Sequence, residues 1–433
     1  MENQPQQTIV LMIFITLVSI VYFLGLPTVP FHPDEQTYLF MSGDVERFFA
    51  KPSQLFWNPV QSHDLRQKYR LRDAPLSRWL IGIGRQIARL PAPQVDWDWS
   101  KDWQTNRANG ALPAPDLLLV GRLSVAVLFP FSLWLMFQIA QSIGGNLSGW
   151  TATILLASHA LVLLHTRRAM AESGLLFCVL LTLWALNRDT ERPYWLALPA
   201  ALAFNAKQSV APLAMLCWAV VCFPPSEKQL SPKQRLRHGF LFGLLFIFVT
   251  LMLNPVLWSN PWQAALAAWQ ERTALVDQQV TAIRSVSPEL VWESYPQRMF
   301  GILAHLFFTQ PATADLMNYV ADTQAADRAY FAQPLHSLFR NLWGGIVWIF
   351  LSLFGFILAP VRARRLAPMQ RRRVWLMVAA TFVQAVGLVG MIPIPFQRYV
   401  LPLIPFQCLW AAKGVEGLVQ IPILLFVSHL RKN

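Results

Sequence analysis

Apolar residues fall along this chain in long runs, and polar residues gather in the gaps between them. The first run, TIVLMIFITLVSIVYFLGL over residues 8–26, is long enough to cross a hydrocarbon layer of about 30 Å as a helix. Similar runs predict helices near 8–27, 117–140, 150–165, 169–187, 194–206, 209–223, 239–257, 339–361, 374–392, 399–412 and 417–429. Two polar-rich segments, 28–116 and 258–338, interrupt the series. The expected fold is an all-α polytopic membrane bundle of about 11 transmembrane helices, a single domain over 1–433, with membrane-surface helices in the first long loop. Residues 194–223 make either two short helices or one long one. Two are expected, because NAKQS around Lys207 is a poor mid-membrane sequence without water or partners.

Composition agrees with a membrane protein. Of 433 residues 55% are hydrophobic and 14% charged, against about 25% charged in soluble domains. The first segment reads as a retained helix and not a cleaved leader, since no Lys or Arg precedes it and no small-residue cleavage pattern follows. Cys178, Cys217, Cys222 and Cys408 all fall in apolar runs, with no metal spacing and no disulfide signature. The net charge of +13 is read as basic loops facing anionic lipid, with no nucleic-acid partner.

Orientation follows from the short loops. RARRLAPMQRRR over 362–373 and PPSEKQLSPKQRLRH over 224–238 are basic and two crossings apart, so both are cytoplasmic by the positive-inside rule. Counting back places 28–116 and 258–338 outside and the N-terminus inside. The residues that stand out chemically then converge on the outer face. Asp34 and Glu35 follow the first helix, Arg167, Arg168 and Glu172 lie in HTRRAMAE, Lys207 in FNAKQS, and Arg398 in PFQRYVLP. In YRLRDAPLSRWLIGIG, Arg72, Asp73 and Arg78 surround the start of a second surface helix.

Each has an ordinary explanation. Pro33 suits a first helical turn and acids there complement the helix dipole; Arg168 and Glu172 are spaced for an ion pair on one helix; lysines and arginines near helix ends reach for lipid phosphates. The functional alternative uses the same placement. A carboxylate at a membrane–water boundary accepts a proton from a hydroxyl or holds a divalent ion, with Asp34 and Glu35 as its ligands, and clustered cations receive a phosphate. Trp97, Trp99 and Trp103 could stack on sugar rings, but an interfacial aromatic belt is the expected reading, as for Trp258 and Trp262. No Gly-rich nucleotide loop, zinc motif or nucleophile triad is visible, and the histidines are not spaced as ligands.

In order and spacing, Asp34-Glu35 after a first helix, DAPLSRWLIGIG, LLHTRRAMAESGLLF, ALAFNAKQSVAPLAM and QRYVLPLIPF resemble the GT-C glycosyltransferases, closest to the protein O-mannosyltransferase and lipid A aminoarabinose transferase group. The resemblance covers most of 8–223 and the 396–406 stretch. It implies a GT-C-like bundle in the plasma (inner) membrane with an extracytoplasmic site, a polyprenyl-phosphate-linked sugar donor, and an acceptor protein, lipid or glycan among membrane lipids. It also implies an acid in the first loop as base or metal partner, matching Asp34 with Glu35 beside it, and donor contacts at Arg168, Glu172 and Lys207. Asp73-Ala74-Pro75 departs from the His-Pro-Pro or Lys-Pro-Pro of relatives, so Arg72 or Arg78 could substitute there. The segment 258–338 is expected to cover the site. The competing reading is a lipid-linked-sugar flippase, which needs a cationic cavity but no fixed carboxylate at its rim.

Overall fold

Helices are the only regular elements among the described residues of the computed structural model, which cover 4–188, 191–224, 230–315 and 319–430. Five of them are long and apolar enough to cross a membrane: Gln6–Leu24, Pro115–Ala157, Pro232–Leu253, Leu342–Ala363 and Pro368–Met391. Glu172–Leu186 and Gln208–Cys222 are shorter apolar helices. A helix pairs its own backbone groups, which lipid cannot do, and the chain is accordingly an integral membrane protein built from helices.

The boundaries show where local physics overrides apolar run length. Inside Phe129–Ala157 the chain turns at Gly145, whose φ of +74° is open to glycine without steric cost. The expected helix at 150–165 is split between the end of that element and Ala160–His165. At 194–223 the chain does break, since Lys207 is extended (φ −164°, ψ 130°) between Ala197–Ala206 and Ala211–Cys222. The expected pair 399–412 and 417–429 is instead one helix, Ile404–Leu430, entered through the 3₁₀ turn Gln397–Leu403. Lys413 and Glu416, which looked like an interhelical gap, lie one turn apart and pair at 2.6 Å within the helix.

The membrane core is a large apolar cluster. Ile404–Leu430 packs closely on Leu342–Ala363 through small residues: a Cβ on Gly355 would sit 2.0 Å from the Trp410 carbonyl oxygen, and one on Gly414 2.2 Å from that of Leu351.

The long loops are folded. The first carries the helices Pro33–Met41, Asp44–Ala50, Leu65–Arg72, Leu76–Ile87 and Trp103–Ala108. Arg70 grips Asp44 with two hydrogen bonds of 3.0 and 2.8 Å, and Arg85, wholly buried, bonds Ser42 and Glu46. The Leu76–Ile87 helix is therefore locked to its neighbours on one side, while Ile83 and Ile87 face outward. The second loop contributes Pro261–Val286, Tyr295–Phe307 and Val320–Phe331. Its first helix packs on Leu65–Arg72, where Arg72 bonds Glu271 at 3.0 and 2.8 Å.

Candidate active site

Asp34 and Glu35 are adjacent, yet helical geometry turns successive side chains about 100° apart, and the two carboxylates meet different surroundings. Glu35 is fully buried. Arg122 bonds both its oxygens at 2.8 Å, the Ala169 N–H donates at 2.9 Å, and the His32 N–H completes a capping box at 3.1 Å. Arg122 also donates to the Leu26 and Val29 carbonyls. Glu35 thus ties the first loop, the Pro115–Ala126 helix and the 165–171 turn together. Burial would raise its pKa, but Arg122 outweighs that and holds it below the usual value. With its lone pairs engaged, Glu35 has no free oxygen for a substrate proton or a metal ion.

Asp34 faces the other way. Arg398 donates to it at 2.5 Å, and the same guanidinium lies 2.8 Å from Asp315. His32 Nε2 lies 3.3 Å from Asp315, and His32 Nδ1 accepts the Asp34 N–H at 3.2 Å. Burial raises and Arg398 and His32 lower the pKa of both acids, with both left below the ordinary range, while the two carboxylates push Arg398 well above its own. Contrary to the expectation from spacing, His32 joins Asp34 and Asp315 in one group.

Lys207 and Glu172 form a second pair at 2.8 Å, and one Glu172 oxygen has no hydrogen-bond partner. Tyr399 joins the two groups, its ring centroid lying 4.7 Å from Lys207 Nζ and 5.9 Å from Arg398 Cζ.

The remaining expected residues are placed around this centre or away from it. Arg168 donates to the Pro30 and Thr313 carbonyls at 3.2 and 2.6 Å, fastening the segments that carry His32 and Asp315. Arg167 bonds the Tyr22 carbonyl and His336 against the first helix, where its guanidinium would meet a Cβ on Gly25 at 2.6 Å. Arg72 is engaged by Glu271. Arg78 lies buried 3.8 Å from Asp44, with Nε and Nη1 lacking hydrogen bonds, and does not reach lipid. Burial pushes the Asp73 carboxyl up, against the pull of Arg272. Among the described residues Arg272 itself has no hydrogen bond or ion pair. Sequence reasoning missed His32, Asp315 and Arg272. Asp315 and Arg272 stand far along the chain from Asp34 with no local pattern, whereas His32, two residues before Asp34 at the N-cap of the acid helix, could have been noticed.

His32, Asp34 and Asp315 offer three ligand atoms within 4.8 Å of one another, a nitrogen and oxygen set suited to zinc or manganese. Arg398 already spans both carboxylates. The guanidinium engages only Oδ2 of each, but a divalent ion held by this group would lie against its positive charge, so the group as arranged favours Arg398 over a metal ion.

No protein-family model matches the chain, and no curated protein sequence matches it. Solved structures do. The apo Archaeoglobus fulgidus oligosaccharyltransferase aligns with TM-score 0.50 and 11% identity over 96% of this chain and 52% of its own. Further Archaeoglobus fulgidus oligosaccharyltransferase structures, one with zinc and sulfate and one, named AglB, with an inhibitory peptide and dolichol-phosphate, align with TM-scores 0.48 and 0.46 at 10% identity. They cover 94% and 97% of this chain. The chain spans about half the length of these oligosaccharyltransferases. The likeness to the apo structure shows the fold alone, a helical membrane fold of the kind that oligosaccharyltransferase has.

Proposed function

We propose that this chain is a membrane glycosyltransferase that moves one sugar, hexosyl or pentosyl, from a polyprenyl-phosphate donor to an acceptor hydroxyl with inversion, outside the plasma (inner) membrane. The supporting observation is Asp34, a loop carboxylate sharing one guanidinium with Asp315 beside the Lys207–Glu172 pair. The resemblance to O-mannosyl and aminoarabinosyl transferases favours a single sugar. The segment 28–116 supplies the acid, and 258–338 covers the site through Asp315 and Arg272.

Asp34 takes the acceptor hydroxyl proton. The oxygen bonds to the anomeric carbon, and the bond from that carbon to the phosphate oxygen breaks with its electron pair leaving on polyprenyl phosphate. Arg398, Lys207 and Arg272 meet the added charge, where a site shielded from water makes such stabilisation strongest. Arg398 also sets the timing. While it holds Asp34, the acid is a weak base. A donor phosphate competes for the same bidentate fork, and Asp34 gains basicity as Arg398 turns to it. Arg168 and Glu35 act by positioning.

The test is transfer from labelled polyprenyl-phosphate sugars into the acceptor fraction of membranes. Asp34→Asn should lower it by about 10²–10⁴-fold, the usual worth of a positioned base. Undiminished transfer would overturn the assignment.

A further inference from the structure

The three tryptophans of VDWDWSKDW pack into one cluster. Trp97 is buried at 3% exposure, and its ring lies 6.4 Å from Trp99, 5.6 Å from Trp103 and 6.2 Å from Tyr319, centre to centre. His32 belongs to the same wall, 6.4 Å from Trp99 and 6.1 Å from Tyr319. Belt tryptophans sit singly in the interface with the indole N–H turned to water or headgroups; these rings pack on one another behind the Asp34–Asp315 pair. The segment is anchored firmly. Asp96 accepts from Thr37 at 2.9 Å and Tyr69 at 2.6 Å, Gln36 bonds the Val95 carbonyl, and Asn106 clasps both backbone groups of Asp98.

Two features set this cluster apart from an apolar core. The Trp97 Nε1–H and the hydroxyl of Tyr319, itself 1% exposed, have no hydrogen-bond partner. Buried donors in folded proteins are normally satisfied, so each orphan asks for an explanation. Trp99 and Trp103 meanwhile keep part of their surface open. A pyranose ring supplies both missing halves, with C–H faces for the rings and hydroxyls for the donors. Ligand pockets combine apolar walls with a few placed polar groups in this way.

We infer that Trp97, Trp99, Trp103 and Tyr319 form a pyranose-binding subsite beside Asp34 and Asp315. The subsite deepens the transferase reading and rests on it. The sugar is that of the donor or that of a saccharide acceptor, and the experiment separates the two.

Binding to the purified full chain in nanodiscs is measured for polyprenyl-phosphate mannose, sugar-free polyprenyl phosphate, and free methyl mannoside and methyl glucoside. The variants are Trp99→Ala and Tyr319→Phe, the latter removing only a hydroxyl, and thermal melting confirms that each is folded. A donor-sugar subsite predicts roughly tenfold weaker binding of polyprenyl-phosphate mannose in Trp99→Ala, a smaller loss in Tyr319→Phe, and unchanged binding of the sugar-free lipid. An acceptor subsite predicts the same losses for the free glycosides alone. Folded variants that bind every probe like the wild type overturn the subsite and leave the transferase reading intact. A wild-type chain that binds neither lipid overturns both.

Discussion

Two groups of buried charge can be set side by side. Around Glu416, Lys413 pairs at 2.6 Å, Ser148 donates at 2.5 Å, Gln420 donates at 3.1 Å, and Arg362 in turn bonds Gln420. No side-chain nitrogen or oxygen of these five residues is a buried orphan, and the network joins three helices as any satisfied polar cluster does. Around Asp34 the accounts do not close. Arg398 serves two carboxylates while its own Nε lacks a hydrogen bond, and an oxygen of Glu172 is orphaned. Closure marks a fastening, and open donors and acceptors mark a site awaiting a ligand.

Substitutions can break or sharpen this contrast. After Asp34 itself, the largest effect is expected at Arg398. Arg398→Gln removes the shared cation and should lower transfer by about 10²–10³-fold, read from labelled-donor turnover in protein of normal melting temperature. Glu35→Gln, beside the proposed base, should act on stability: it leaves Arg122 without its charge partner, which costs about 3–5 kcal/mol in comparable buried pairs, read by thermal or chemical unfolding in detergent. Glu416→Gln should cost less, about 1–3 kcal/mol, with turnover per folded molecule unchanged. A loss of turnover there would abolish the distinction between the groups.

A smaller effect concerns pH. Burial pushes the Asp96 carboxyl up to about 6 from its ordinary 3.8, despite the hydrogen bonds from Tyr69 and Thr37 that lower it. The folded state therefore keeps a proton that the unfolded chain releases. This contribution is fully present below pH 3.8 and is lost as pH rises through about 6. Asp96→Asn should flatten the melting temperature across that window and raise it at pH 7. The smallest effect is expected from chelation. With Arg398 across both carboxylates, EDTA should leave transfer unchanged, and restoration by manganese or zinc of activity lost to EDTA would reverse that view.

Much of the bundle was legible as apolar runs, and the break at Lys207 was legible as polarity without partners. The continuity of Ile404–Leu430 was not, because Lys413 and Glu416 are tolerable there only with Ser148 from a distant helix. In the site, Asp34, Arg398, Lys207 and Glu172 stood out as charges at helix ends, and the structure brings them together around Tyr399. Arg167, with the same local signature, is turned to Tyr22 and His336, since only packing decides which way such a side chain faces. The opposite fates of Asp34 and Glu35 were invisible for a similar reason. Their difference lies in Arg122 and Arg398, residues remote in sequence from both.

The central claim is that Arg398 is held by Asp34 until a donor phosphate takes it. Donor affinity and transfer measured together on Asp34→Asn test this most directly. The account predicts that polyprenyl-phosphate sugar binds at least as tightly as to the wild type, because the guanidinium is released, while transfer collapses. Loss of donor binding in step with transfer, or transfer that survives, would contradict it.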